Sequence, residues 1–134
     1  MLGSLAIAPA VDAASNWVVH VASTNSGEAK ATVLPAAPAS PAAACTSPAS
    51  NKTIKVTWTA VTHATTYTVY QSTTSATGTY TSVATGVTTT SWTSGTTAGN
   101  YWFKVAALIG TTWTSPESAA TTENTISASS CAAN

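Results

Sequence analysis

The sequence predicts an all-β sandwich with an extra N-terminal strand or hairpin, and three observations predict it. From Thr53 onward, short alternating runs rich in threonine and aromatics recur about every ten residues, separated by Gly- and Ser-containing turns. No stretch keeps its apolar residues on one helical face over the roughly ten positions that a helix needs. The clearest run, "NYWFKVAAL" at 100–108, has a two-residue period with Tyr101, Phe103, Val105 and Ala107 on one side. Its other side, Trp102, Ala106 and Leu108, is broken only by Lys104, so that second apolar face must also be covered.

The chain opens with "MLGSLAIAPAVDAAS", a short apolar run followed by Val11-Asp12-Ala13, which partly fits an export signal with a small-residue cleavage site. No lysine or arginine precedes the run and Pro9 interrupts it, so the segment is expected to belong to the working molecule. It is too short to span a bilayer. Residues 16–34, "NWVVHVASTNSGEAKATVL", read as two strand-like runs around the turn signal Asn25-Ser26-Gly27. Trp17, Val19 and Val21 form one side of the first run, and Val18, His20 and Ala22 the other. Residues 1–37 are thus expected to be an arm. Residues 35–50, "PAAPASPAAACTSPAS", carry four prolines among alanines and read as an extended linker ending in an edge strand around Cys45. The domain proper is then 38–134, with a Pro/Ala-rich lead-in at 38–50 and a tail at 127–134. Within it, "TIKVTWTA" aims Ile54, Val56, Trp58 and Ala60 to one side, and "TTYTVYQS" aims Tyr67, Val69 and Gln71 to one side. "TYTSVAT", "TTTSWTS", the 100–108 run and a last strand near "SAATTENTI" follow.

Composition narrows the function. Only 6% of the residues are charged, the four basic ones are all lysine, and the net charge is zero. No basic stripe exists to hold phosphates, which argues against nucleic acid as a partner. So little charge also leaves copies of the chain without the repulsion that keeps them apart. The titratable residues Asp12, Glu28, Glu117, Glu123, His20 and His63 are scattered over expected loops and tails. Glu117 and Glu123 on one strand would stand ~20 Å apart, too far to flank one glycosidic bond. There is no G-x-S-x-G nucleophile elbow. No catalytic residue, cofactor or metal site is therefore expected. The two cysteines, Cys45 and Cys131, are too widely spaced for a CxxC redox site and lack the spaced histidines of a zinc site. A disulfide between them would close a loop of 86 residues and places the chain outside the cytoplasm, extracellular or at the cell surface. Asn51-Lys52-Thr53 matches the N-glycosylation acceptor pattern.

From residue 38 to about 126 the chain resembles the fibronectin type III domain. The resemblance rests on Trp58 in the second strand, Tyr67-Thr68-Val69-Tyr70 in the third, Tyr101-x-Phe103-x-Val105-x-Ala107 in the sixth, and Ser115-Pro116-Glu117-Ser118 leading into the last. It implies a seven-stranded sandwich, with Trp58 and Trp92 in the core beside Ile54, Val56, Tyr67, Val69, Tyr101, Phe103 and Val105. It also implies parallel first and last strands, which bring Cys45 and Cys131 to one pole. The chain departs from the family where a Leu-x-Pro-Gly-x-x-Tyr corner is usual, having Gly95-Thr96-Thr97-Ala98-Gly99-Asn100-Tyr101 instead. It has no arginine, and so no Arg-Gly-Asp attachment tripeptide.

The remaining aromatics Trp17, Tyr70, Trp102 and Trp113 are not needed by that core. Tyr70 and Trp102 are expected to project outward from neighbouring strands as one patch. Three occupants compete for it: the surplus arm with Trp17, Val19 and Val21, in cis or from a neighbour by strand addition; a polysaccharide stacked on Trp102, Tyr70 and Trp113 beside Gln71, Asn100 and Lys104; or none, in a rigid spacer. The first is the expectation adopted, a self-associating subunit of a surface filament, pilus-like appendage or envelope layer. The glycan-binding or adhesive domain is the alternative.

Overall fold

The computed structural model describes residues 36–46, 52–95 and 97–134. The expected arm strands, with Trp17, Val19 and Val21, and the acceptor Asn51 lie outside the described residues. The described residues form strands and connections with no helix. In chain order the strands are β1 (Ala42–Cys45), β2 (Ile54–Thr57), β3 (Thr66–Ser72), β4 (Thr81–Val87), β5 (Ser91–Thr93), β6 (Gly99–Ile109), β7 (Trp113–Thr114), β8 (Asn124–Ile126) and β9 (Cys131–Ala133). One sheet has the order β1-β2-β5; the other has the order β4-β3-β6-β8-β9, with β7 folded back on β6. All the pairings are antiparallel.

The alternation read from the sequence becomes burial. Ile54, Val56, Trp58, Tyr67, Val69, Tyr101, Phe103, Val105, Ala107 and Ile126 are buried as one core cluster, and Trp92 packs half-buried against it. The central element is β6, whose inward row faces Val69 and Tyr67 across the ladder Val69↔Val105 and Tyr67↔Ala107. Trp58 meets Tyr67 edge-on at 5.3 Å, and Phe103 lies 6.0 Å from Trp92 and 6.2 Å from Tyr101. The two pairs tilted by about 60°, Trp58–Tyr67 and Trp92–Phe103, add to burial because a ring edge is attracted to a neighbouring ring face. The corner that lacks its leucine and proline still closes: the Tyr101 hydroxyl donates to the Thr97 carbonyl at 2.7 Å. Gly99 permits this, since a Cβ there would stand 3.2 Å from the Tyr101 hydroxyl oxygen.

The last strand differs from the expected alternating one. Ser115, Ser118 and Thr121 donate their backbone N–H groups to the carbonyls of Ala107, Val105 and Phe103 at 2.8–2.9 Å. In return, their side-chain oxygens accept the N–H groups of those same residues at 2.8–3.0 Å. Three residues of this segment therefore match two of β6, so the pairing is bulged at every step and a hydroxyl replaces the missing carbonyl acceptor. Ser94 does the same for Ile54 on the smaller sheet. These four hydroxyls lie among the buried polar residues of the domain, each occupied. Ser118→Ala would leave the buried Val105 N–H without an acceptor, and a loss of about 1–3 kcal/mol is expected in chemical denaturation.

The segment 127–134, expected as a tail, is instead structural. After a turn in which the Ser127 hydroxyl and backbone bond Ser130, residues Cys131–Ala133 pair with β8. Cys131 is bonded to Cys45 at the end of β1, with the two Cα atoms 5.7 Å apart. The bridge thus joins an edge of one sheet to an edge of the other. Lys52 reaches the Ala128 carbonyl at the same pole.

Candidate functional site: the outer face of the larger sheet

The outward row of β6 is the second apolar face of that strand. The register sets Trp102 opposite Ser72, Lys104 opposite Tyr70, Ala106 opposite Thr68 and Leu108 opposite Thr66. Ala106 is buried, while Trp102, Tyr70 and Leu108 are half-buried. Around Lys104, in the middle of this row, the domain places two of its own side chains. The Lys104 ammonium sits 4.4 Å above the Tyr80 ring and 3.2 Å from the Glu117 carboxylate. A cation over an aromatic face is held by the ring quadrupole, and its aliphatic stem covers apolar surface beneath. Tyr80 comes from the β3–β4 connection, fixed by its hydroxyl bond to the Ala76 carbonyl at 3.0 Å. Burial, and then the nearby Glu117 charge, hold the Tyr80 phenol above its usual pKa, so it stays neutral at physiological pH.

The site residues proposed from the sequence separate into three places. Tyr70 and Trp102 share this face as diagonal neighbours on β3 and β6. Among the described residues their rings do not stack; the close ring pairs are all interior ones. Trp113 does not join them, which corrects the three-aromatic platform. It pairs with Ile109 beyond the three-residue turn at Gly110, seven residues from Trp102 along β6, or ~23 Å at the usual strand rise. It is also in register with the inward row rather than the outward one, and is 50% exposed. Asn100 bonds Thr125 through its side chain, on the far side of β6 from Tyr70. Gln71 stands opposite Phe103. The polar companions Tyr80 and Glu117 were not read from the sequence; Tyr80 lies ten residues after Tyr70 with no pattern linking them. His63 is exposed in the turn after Trp58, at φ 64°. Among the described residues no three His, Cys, Asp or Glu side chains converge in a way that would hold a metal ion, and no helix is long and apolar enough to cross a membrane.

Two sheets of this strand order, packed over a shared aromatic core with a tyrosine corner, define an immunoglobulin-like β-sandwich. No family model matches the chain, and no curated protein aligns with it. Among solved structures it is similar to an Fn3-like protein from Clostridium thermocellum, at 31% identity over 64% of this chain and 91% of that one, with a TM-score of 0.52. With that relative the chain belongs to the fibronectin type III family. The structure FN3tt (16% identity, 71% and 97% of the two chains, TM-score 0.56) and domains A168–A170 of titin (20% identity, 69% and 32%, TM-score 0.54) share the fold.

Proposed function

We propose that this is a non-catalytic extracellular structural protein that self-associates through its N-terminal arm, as a subunit of a surface filament, pilus-like appendage or envelope layer. The observation that carries this reading is the outer face of the larger sheet, where Tyr70, Trp102 and Leu108 place interior-type side chains on the outside of a sandwich. A chain of zero net charge offers little resistance to packing against copies of itself. The disulfide supports an oxidising compartment. In this reading the arm of one copy, with Trp17, Val19 and Val21, covers apolar surface of the next.

A second reading, a glycan-binding or adhesive domain, is favoured by Lys104, next to Trp102 in the outward row, with its partners Glu117 and Tyr80, since sugar hydroxyls need such polar groups. Light-scattering mass and negative-stain imaging of the full chain separate the two. Trp17→Ser is expected to stay folded and lose assembly; assembly that persists unchanged removes the arm from the mechanism. Trp102→Ala with unchanged mass but lost retention on polysaccharide would make the glycan reading the correct one.

A further inference from the structure

The arm reading leaves open where on the neighbour the arm would dock, and the strand edges narrow it. A sheet edge exposes unpaired N–H and C=O groups, and proteins usually blunt it with charge, proline, shortness or a covering segment. The edge formed by β1 and β9 is closed by the Cys45–Cys131 bond. At the opposite side, β5 is only three residues long. Beside β6, the segment 115–121 is blunted by Pro116 and Glu117, which leaves β4: seven residues, "TSVATGV", without a charge or a proline, at the end of the larger sheet. Val83 on it is 38% exposed.

We infer that the outer edge of β4 accepts residues 16–22 of a second copy as an added strand, an inference that rests on the self-association reading above. The segment "NWVVHVA" equals β4 in length and, with His20 neutral, carries no charge. Main-chain hydrogen bonds supply the affinity in such additions and alternate side chains the specificity. Two bulges select the occupant. The register of β4 against β3 slips between Val69↔Ala84 and Tyr70↔Ser82, around Val83, and again between Tyr67↔Val87 and Val69↔Ala84, near Gly86 at φ 68°. Bulges raise the local twist, so two β4 edges cannot lie flat against each other, whereas a strand from outside the sandwich can follow the twist. The new strand would lengthen the row Lys104–Tyr70–Ser82 by one place, about 4.8 Å beyond Ser82. Every second side chain of the segment then falls on the Tyr70 face. The donor is taken as a second copy in keeping with the self-association reading, since a strand supplied by another chain makes the mass depend on concentration, whereas one supplied by the same chain does not.

The test is the concentration dependence of mass for the full chain, with melting curves to establish that each variant is folded. Val83→Lys and Ser82→Glu place charge on the exposed edge and are each expected to raise the concentration for half-assembly at least tenfold. Ala119→Lys, an exposed position away from β4, should leave it unchanged. If Trp17→Ser blocks assembly while both β4 variants assemble as the unmodified chain does, the β4 site is wrong and self-association stands. A full chain that is monomeric at every concentration overturns both. Equal loss in Ala119→Lys would assign the effect to added charge and also overturn the site.

Discussion

Replacing Cys45 and Cys131 together by alanine is expected to lower the unfolding free energy by about 4.5 kcal/mol. The loop they close spans 86 residues, and in the chain-entropy account its closure removes that much freedom from the unfolded chain. The native side of the balance changes little, because β1 keeps its ladder to β2 and β9 keeps its ladder to β8. For a domain of this size each kcal/mol corresponds to about 4–8 °C, so the melting point should fall by roughly 20–35 °C. Reduction by a thiol should reproduce the shift in the unmodified protein. A fall of only a few degrees would mean that the unfolded chain is already compact at this pole, or that the bridge strains the sandwich.

Phe103→Ala is expected to cost about 3–5 kcal/mol, the range for emptying the site of a large buried ring. Phe103 has no exposed surface and lies against both Trp92 and Tyr101. Its backbone is bonded on both sides of the residue to Thr121, so the surrounding strands cannot collapse easily into the space. Guanidinium unfolding with an unchanged slope would read the loss directly. A loss below about 1 kcal/mol would place Phe103 outside the tightly packed centre. Trp92, half-buried at the rim of the smaller sheet, should tolerate truncation better than Phe103.

How much of this was legible beforehand depends on which interactions are periodic. Ile54, Val56, Tyr67, Val69, Tyr101, Phe103 and Val105 repeat every second residue because a pleated strand buries every second side chain, and that signal survives in one sequence. The segment Ser115-x-x-Ser118-x-x-Thr121 repeats every third residue, which is neither a strand nor a helix period, and hydroxyls carry no hydrophobic contrast. A three-residue spacing of buried hydroxyls beside an apolar strand was the available sign. Residues 127–134, "SASSCAAN", show no apolar alternation, and their strand is held by pairing and by a covalent bond instead. The cover over Lys104 joins Tyr80 and Glu117, residues distant along the chain. Only the folded register brings them together. The departure at the tyrosine corner was visible, whereas the surviving hydrogen bond depended on backbone placement at Thr97.

The bridge between β1 and β9 also determines how the domain carries load. Tension applied through the arm enters at Ala42, passes along β1 to Cys45, crosses to Cys131 and leaves by Ala132, Ala133 and Asn134. The segment between the two cysteines, which stand 86 positions apart and enclose about 290 Å of contour length if drawn out, lies on a branch that bears no force. A copy pulled along this axis behaves as a short inextensible link, and the sandwich hangs beside the line of force rather than within it.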